Sequence, residues 1–288
     1  MKTALITGGN SGIGKETARA LVGQGWKVLI AARDSSKSSA LVTSIRAAHP
    51  QAQIDWLPLD LSDFSSIEAF AGEVARRLPV IDALVLNAGL YTRELSTNHA
   101  GIERMFATTH LGHFMLMHHL LPQVRASSDG RIVVSSSVAQ WLGGQMDLDT
   151  MRHPSSSQFL QWAPFKAYGR SKLANMLFVR ELAKRLQGTP IKVNGFHPGG
   201  IKSDFWRDTP GWVTALVDPF LVSETVGAKT QIHLASSPGL NITGEYWAGR
   251  KVRRGSPANR DPALARKLWQ YSEQVLGIAE FGQPVKRN

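Results

Sequence analysis

Short apolar runs alternate with longer amphipathic segments from the first residues of the chain to about residue 196. This alternation is typical of a parallel β-sheet whose strands are joined by crossover helices. The predicted strands are Ala4–Thr7, Lys27–Ala31, Ile54–Leu59, Ala83–Leu86, Arg131–Ser135, Ile191–Phe196 and a late Glu245–Trp247. Most are apolar on both faces, as strands covered by helices on both sides should be. The pattern therefore predicts an α/β protein with a doubly wound parallel sheet.

The clearest helical pattern lies in Ser171–Leu186, where leucines recur near a 3.6-residue period. Two irregular segments, residues 138–165 and 199–222, interrupt the alternation of strands and helices. Both follow strands at the carboxyl edge of the sheet, where open α/β folds bind ligands. We expect them to line a pocket, with ordinary loop packing as the alternative. The aromatic residues expected in its walls are Trp141, Trp162, Phe165, Phe205 and Trp206.

The composition favours one intracellular domain. The chain has 288 residues, of which 43% are hydrophobic, enough for one substantial core. It has no cysteine, which excludes disulfides, thiolate zinc sites and thiol nucleophiles. The amino terminus runs directly into a glycine-rich turn, which leaves no room for a signal peptide. Since no stretch reaches the roughly 18 apolar residues of a membrane-spanning helix, we expect a soluble, cytoplasmic protein without a transmembrane segment.

The formal net charge of +11 raises the question of a polyanionic partner. The densest basic cluster is Arg250, Lys251, Arg253 and Arg254. No zinc-finger spacing, basic-region heptad or RNA-reading aromatic motif accompanies it, so a solvated basic surface is favoured over nucleic-acid binding. Part of the positive charge would then serve an anionic cofactor.

Histidines and serines raise two further alternatives. His110, His113, His118 and His119 suggest a metal site, but no carboxylate lies at a matching helical spacing. Helix packing and surface roles are therefore favoured, and no metal is expected. A serine hydrolase is disfavoured, because Ser137 lacks a Gly-x-Ser-x-Gly turn.

A glycine-rich turn connects the first predicted strand to a helix that begins near Ile13. Glycines there permit a tight turn, let the backbone approach a pyrophosphate, and allow the helix to pack closely on the strand. Free N–H groups at the start of the helix favour an anion. An ordinary turn is the alternative, but the flanking strand and helix favour dinucleotide binding. The residues expected to bind it are Gly8, Asn10, Ser11, Gly12, Ile13 and Gly14.

The spacing Gly-x-x-x-Gly-x-Gly resembles that of the classical short-chain dehydrogenase/reductase family, and the resemblance extends over essentially the whole chain. It implies a single-domain Rossmann-type fold over residues 1–288, with 1–196 as the dinucleotide-binding core and 199–222 plus the C-terminal part on the substrate side. A homodimer is expected from the resemblance alone. The further cofactor-binding residues that it implies are Asp60, Leu61, Asn87, Ala88, Gly89, Pro198, Gly199, Ile201 and Ser203.

The end of the second predicted strand discriminates between two nicotinamide dinucleotides. An acid there selects NAD, whereas a base accommodates the 2′-phosphate of NADP. Ala32 stands where NAD-preferring family members carry the acid, and Arg33 follows with a guanidinium able to pair with phosphate. Lys15 is a candidate for a second cation. We expect NADP(H) to be preferred over NAD(H), the alternative being that Arg33 only solvates the strand end.

Tyr168 and Lys172 form a Tyr-x-x-x-Lys motif, and this spacing places both side chains on one face of a helix. A neighbouring ammonium would lower the tyrosine pKa from its ordinary ~10 towards neutrality. Ser137, just past the strand Arg131–Ser135, matches the family's catalytic serine, whose hydroxyl would stabilise charge on a carbonyl oxygen. The resemblance implies that Ser137, Tyr168 and Lys172 are catalytic, and that Tyr168 and Lys172 also contact the cofactor.

Thr109 departs from the family pattern, which predicts asparagine before His110-Leu-Gly-His-Phe114. In relatives that asparagine helps to hold a water beside the active-site lysine. Threonine keeps one hydroxyl but lacks the amide. We therefore expect a working enzyme in which Thr109 supports a weaker proton relay.

Several short motifs are similar to the branch that contains retinol dehydrogenases, WW-domain oxidoreductase and protochlorophyllide reductase. They are Tyr168–Asn175, His110–Phe114, Ser256-Pro257, Leu268-Trp269 and Ser272-Glu273. The branch implies a bulky apolar carbonyl or alcohol substrate, and hence an NADP(H)-dependent oxidoreductase that transfers hydride to or from its carbon. The alternative is a non-catalytic NADP(H) sensor or partner-docking protein on the same fold.

Overall fold

The computed structural model describes residues 1–144, 146–148, 163–200 and 222–283, which contain an eight-stranded sheet. The strands are β1 (Thr3–Thr7), β2 (Lys27–Ala32), β3 (Ile54–Pro58), β4 (Ala83–Leu86), β5 (Arg131–Ser135), β6 (Lys192–His197), β7 (Tyr246–Ala248) and β8 (Lys251–Arg253). Their spatial order is β3-β2-β1-β4-β5-β6-β7-β8, and all neighbours are parallel except β7 and β8. This is a doubly wound Rossmann sheet, so the predicted fold class is confirmed.

Helices connect the strands and cover the sheet. They are α1 (Gly12–Gly23), α2 (Ser35–Ala48), α3 (Phe64–Arg77), α4 (Arg104–Phe106), α5 (Gly112–Arg125), α6 (Ala163–Arg185), α7 (Glu224–Ser236) and α8 (Pro262–Leu276). A π-helix, Ala107–Leu111, joins α4 to α5, and two 3-10 helices cover Val138–Gly143 and Pro257–Arg260. Within the described ranges, no helix is long and apolar enough to cross a membrane.

The first strand shows why the central strands are apolar on both faces. Successive side chains of a strand point to opposite faces of the sheet. Leu5 packs in a core cluster with Phe114 of α5, whereas Ile6 packs in a second cluster with Leu21 of α1 and Leu41 of α2. Because both faces are covered, the carboxyl edge of the strands is where a ligand can approach the sheet.

The predicted strand boundaries agree with the structure within one residue. The strand β8 has no counterpart in the sequence prediction, because each of its three residues is exposed and no apolar pattern marks it. Helix α6 begins at Ala163, well before the predicted Ser171. Its first turns contain Gly169 and several polar residues, which hide the apolar period.

A close contact between α6 and the 3-10 helix Val138–Gly143 brings the candidate catalytic residues together. Helix α6 carries Tyr168 and Lys172, and the 3-10 helix begins directly after Ser137. A Cβ atom at Gly169 would lie 2.6 Å from the carbonyl oxygen of Ala139. Glycine at this position therefore permits the approach of the two helices.

Candidate active site

The glycine-rich turn after β1 leads into the amino terminus of α1. Ser11 is the N-cap residue but makes no capping side-chain hydrogen bond, and no acidic residue lies in the first turn. A Cβ atom at Gly14 would lie 2.4 Å from the carbonyl oxygen of Gly8, so only glycine lets the helix pack on the turn. The turn thus presents a positive helix end to an anion. Lys15 pairs with Glu224 at 2.8 Å, which neutralises the expected second cation.

Arg33 is exposed directly after β2, beside the glycine-rich turn. The amide nitrogen of Asn10 donates to the Asp34 carbonyl at 3.3 Å and to the Ser38 hydroxyl at 3.1 Å, which ties the turn to the start of α2. The carboxylate of Asp34 accepts from the Lys37 backbone N–H at 2.9 Å and caps α2. The acid nearest to Arg33 in sequence is therefore engaged within the helix.

The turns after β3 and β4 lie at the same edge of the sheet. An Asp60 carboxylate oxygen accepts from the Ser62 backbone N–H at 2.8 Å and from its hydroxyl at 2.6 Å, while Leu61 is buried. The side-chain amide of Asn87 donates to the Thr7 carbonyl at 2.9 Å. The turn formed by Asn87, Ala88 and Gly89 is therefore joined directly to the end of β1.

Ser137, Tyr168 and Lys172 come together at the carboxyl edge of β5. The hydroxyls of Ser137 and Tyr168 are hydrogen-bonded. The Lys172 ammonium lies 5.6 Å from the centroid of the Tyr168 ring and donates to the Ser135 carbonyl at 3.2 Å. Both Tyr168 and Lys172 belong to α6, whereas Ser137 follows β5, so the three residues meet only through the fold.

The pKa values of the pair differ from the sequence expectation. Burial raises the pKa of Tyr168 above its ordinary value, and the hydrogen bond with Ser137 only partly opposes this. Burial also lowers the pKa of Lys172 to about 8. The expectation that the ammonium brings the tyrosine pKa towards neutrality is wrong for this arrangement, because the ammonium bonds to a backbone carbonyl and desolvation dominates.

Thr109 lies in the π-helix and is fully buried. Its hydroxyl accepts from the Leu90 backbone N–H at 3.3 Å, and its carbonyl accepts from the Nδ1 of His113 at 3.0 Å. Short π-helical segments are frequent at functional sites. Thr109 therefore holds the loop that follows Asn87–Gly89.

Three residues near this centre were not predicted from the sequence. Tyr91 meets Tyr168 edge-on, with ring centroids 5.8 Å apart. His197, at the end of β6, accepts from the Val138 backbone N–H at 3.4 Å, and burial together with the Lys172 charge lowers its pKa to about 4. The amide of Asn175 donates to the Ser135 carbonyl at 2.8 Å. Their positions just after Gly89, just before Pro198 and one turn after Lys172 were the available signals.

The structure describes part of the expected pocket wall. Phe165 packs against Tyr91 with ring centroids 5.2 Å apart, and Trp141 is 57% exposed. Pro198 and Gly199 directly follow β6 at the same edge as Ser137. Trp162, Ile201, Ser203, Phe205 and Trp206 lie outside the described residues.

The histidines near α5 make packing and hydrogen-bonding contacts. His110 is bonded to the Ser272 hydroxyl at 3.0 Å, and His118 accepts from the Gly282 backbone N–H at 2.9 Å. Among the residues that the structure describes, no group of three or more histidines and carboxylates is placed to hold a metal ion.

Comparisons with known proteins agree with the fold and the site described above. The family model described as short chain dehydrogenase matches residues 2–146. The chain therefore belongs to the short-chain dehydrogenase/reductase family of oxidoreductases, which bind a nicotinamide cofactor. The predicted resemblance is confirmed.

The relatives fall in the predicted branch. The chain is similar to retinol dehydrogenase 12 of Mus musculus, with 39% identity over 280 residues that cover 96% of this chain and 87% of that protein. A solved structure of an uncharacterized protein from Mycobacterium paratuberculosis has a TM-score of 0.77 and 31% identity, covering 96% of this chain and 94% of that one. A Pseudomonas aeruginosa RhlG/NADP active-site complex has a TM-score of 0.67 and 28% identity, covering 85% and 93%.

Proposed function

We propose that this protein is an NADP(H)-dependent oxidoreductase that transfers hydride between nicotinamide and a carbonyl or alcohol carbon of a bulky apolar substrate. The proposal depends mainly on the hydrogen-bonded Ser137–Tyr168 pair, with Lys172 5.6 Å from the tyrosine ring, at the edge that carries the glycine-rich turn. A cofactor-binding site and a proton donor at one edge of the sheet are what such a reaction requires.

The chain's own residues fit a nicotinamide dinucleotide phosphate. The uncapped start of α1 suits the pyrophosphate, and the exposed guanidinium of Arg33 suits the 2′-phosphate. Lys172 would bind the nicotinamide ribose. The family resemblance implies that, in the segment beginning at Pro198 and Gly199, the backbone at Ile201 and the hydroxyl of Ser203 would hold the carboxamide and phosphate. When bound, the nicotinamide supplies or accepts the hydride.

Tyr168 and Ser137 would act on the substrate oxygen. Because its pKa is raised, Tyr168 keeps its proton at neutral pH and can give it to the oxygen of a carbonyl as that oxygen gains charge. The Ser137 hydroxyl would donate to the same oxygen and stabilise the charge. Lys172, a buried cation below its pKa of about 8, favours the phenolate that Tyr168 becomes.

The surroundings of Ser137 favour an apolar substrate. Val138 is 55% exposed, Trp141 57% and Leu142 49%, an unusual density of exposed apolar side chains. Tyr91 and Phe165 add aromatic surface on the side of Tyr168. Retinol, named in the mouse relative, is a bulky apolar alcohol. Such surfaces bind apolar ligands with a small number of polar groups for orientation.

Turnover tests the proposal directly. The purified protein is mixed with NADPH and a panel of apolar aldehydes, ketones and quinones, and the loss of nicotinamide absorbance is followed. We expect consumption of NADPH that depends on the apolar substrate. Tight NADPH binding without turnover on any member would favour the sensor alternative.

The Arg33→Ala variant tests the cofactor preference. We expect NADPH to bind at least tenfold more weakly and NADH to bind as before, because a hydrogen bond to a charged group contributes about 1.5–3 kcal/mol. Dissociation constants for both reduced cofactors are measured by fluorescence titration. Arg19→Ala, which removes an exposed arginine from α1, is the control and should change neither. An unchanged preference in Arg33→Ala would contradict the assignment.

The Thr109→Asn variant tests the departure from the family pattern. We expect the wild type to turn over and the variant to change the rate by only about threefold to tenfold, because Ser137, Tyr168 and Lys172 are all present. Turnover and NADPH affinity are measured in parallel. A wild type that binds NADPH but is inactive, and that Thr109→Asn activates, would refute the expectation of activity.

A further inference from the structure

His113 lies in the first turn of α5 and is 1% exposed. Its two ring nitrogens contact two different elements, β1 and the π-helix. Nε2 lies 2.9 Å from the Thr7 hydroxyl at the end of β1. Nδ1 lies 3.0 Å from the Thr109 carbonyl in the π-helix. The imidazole therefore bridges β1 and the π-helix across the interior of the protein.

The neighbours of His113 fix which nitrogen carries the proton. A backbone carbonyl can only accept a hydrogen bond, so Nδ1 must donate to Thr109. The Thr7 hydroxyl accepts from the backbone N–H groups of Asn87 at 2.9 Å and Ala88 at 3.0 Å. Its own proton is then directed to Nε2 at 2.9 Å rather than to the Val85 carbonyl at 3.4 Å. His113 is thus a neutral imidazole with a proton on Nδ1.

Burial and the Lys172 charge support this protonation state. Together they lower the pKa of His113 to about 4, although the bond to the Thr109 carbonyl acts in the opposite direction. The ring therefore stays neutral throughout the physiological range. A neutral imidazole is the side chain that carries one acceptor and one donor on separate edges of a rigid ring.

The bridge meets the loop that borders Lys172. Thr7 holds the backbone of Asn87 and Ala88, and the Thr109 hydroxyl holds the backbone N–H of Leu90 at 3.3 Å. Gly89 lies between these anchored residues. A Cβ atom on Gly89 would lie 3.1 Å from the Lys172 ammonium nitrogen, so this backbone borders the catalytic cation.

We propose that His113 is a positioning residue that joins Thr7 and Thr109 and so fixes the 87–90 loop beside Lys172. The inference rests on the proposed function for its catalytic consequence but not for the bridge itself. It assigns a role to the second histidine of His110-Leu-Gly-His-Phe114, a motif that the proposed reaction does not otherwise use.

Three variants separate this role from ordinary core packing. His113→Phe keeps the ring volume but removes both hydrogen bonds, Thr7→Val removes the hydroxyl, and Thr7→Ser retains it. The matched control is His118→Phe. His118 is a buried histidine of the same helix, and its ring accepts from the backbone N–H of Gly282, which does not belong to the site. It should lower stability without changing NADPH affinity.

We expect His113→Phe and Thr7→Val each to weaken NADPH binding and to lower kcat roughly fivefold to twentyfold, since each leaves buried polar groups unpaired. Thr7→Ser should keep both values close to those of the wild type. The double variant that combines His113→Phe with Thr7→Val should be no worse than the more severe of the two single variants. If His113→Phe does not fold, the ring-nitrogen NMR of the wild-type protein described below tests the bridge without a variant. Equal effects of His113→Phe and His118→Phe on NADPH affinity and kcat would overturn the proposal.

A measurement without substrate or cofactor tests the bridge separately. Nitrogen-15 NMR of the histidine rings should show His113 with a proton on Nδ1 and none on Nε2, unchanged between pH 8 and pH 6 (about two units above its pKa). Amide exchange at Asn87, Ala88 and Leu90 should quicken in Thr7→Val. If these signatures are present and turnover is absent, the bridge stands and the proposed function fails. A proton on Nε2 would contradict the bridge whether or not the enzyme is active.

Discussion

Tyr168→Phe is expected to bind NADPH as the wild type does and to lose turnover by about 10²–10⁴-fold, the range for removal of a general acid. The phenylalanine ring keeps the packing against Tyr91 but has no exchangeable proton. The substrate oxygen then gains charge without a proton donor, and Ser137 alone can only stabilise it. Steady-state turnover with NADPH and the best substrate of the panel is the measurement, together with a cofactor titration.

The control for this variant is Tyr271→Phe in α8. The Tyr271 ring meets Phe106 of α4 edge-on, with ring centroids 6.3 Å apart. Its replacement should leave turnover unchanged. Near-normal turnover in Tyr168→Phe would remove this tyrosine from the mechanism, whereas a parallel loss of cofactor binding would indicate a folding defect instead.

Mild acid is expected to destabilise the fold through its buried histidines. His118 and His197, with pKa values lowered to about 4, contribute, and His110 and His113 together account for about 3–4 kcal/mol between pH 6.5 and pH 5. Burial lowers their pKa values from 6.5 to about 3 and about 4. The unfolded chain binds a proton at each histidine below pH 6.5, while the folded chain does not. Stability is therefore complete above pH 6.5 and falls as the pH decreases towards the folded values.

Urea unfolding at intervals from pH 7.5 to pH 5 measures this effect. The window lies above the ordinary pKa values of carboxylates, so most of these groups contribute little. Burial raises the pKa of Glu103, which would act in the opposite direction. The His110→Phe variant should reduce the loss of stability between pH 6.5 and pH 5 by the contribution of one histidine, about 1.5–2 kcal/mol, even if its stability at pH 7.5 is lower. A free energy of unfolding that is constant across the window would show that these histidines are solvated or protonated in the folded protein.

Most of the sheet can be predicted from the sequence because its parallel strands are buried on both faces. Apolar runs such as Ala83–Leu86 and Arg131–Ser135 predict their strands to the residue, since every position in them is buried. The strand β8 lies at the edge of the sheet and pairs with β7, which no local pattern reveals. The local sequence predicts a strand where every residue of the strand is buried. It does not predict a strand whose formation depends on pairing with a neighbour.

The candidate site was predicted less completely. Tyr168 and Lys172 form a motif within one helix, and Ser137 was found through the resemblance. Tyr91 lies far from Tyr168 in sequence, so its edge-on contact depends on tertiary structure. The direction of the Tyr168 pKa also depends on burial, which the spacing of two residues does not report.

The close contact at Gly169 limits how the active site can change its shape. Because the backbone of the 3-10 helix after Ser137 comes close to α6 at Gly169, we expect the serine, the tyrosine and the lysine to move together. Thermal motion would then displace the two hydroxyls and the ammonium together, with little change in the distances between them. Widening of the site to admit a large ligand must come from its other walls, so the proton-donating geometry is conserved while the opening changes size.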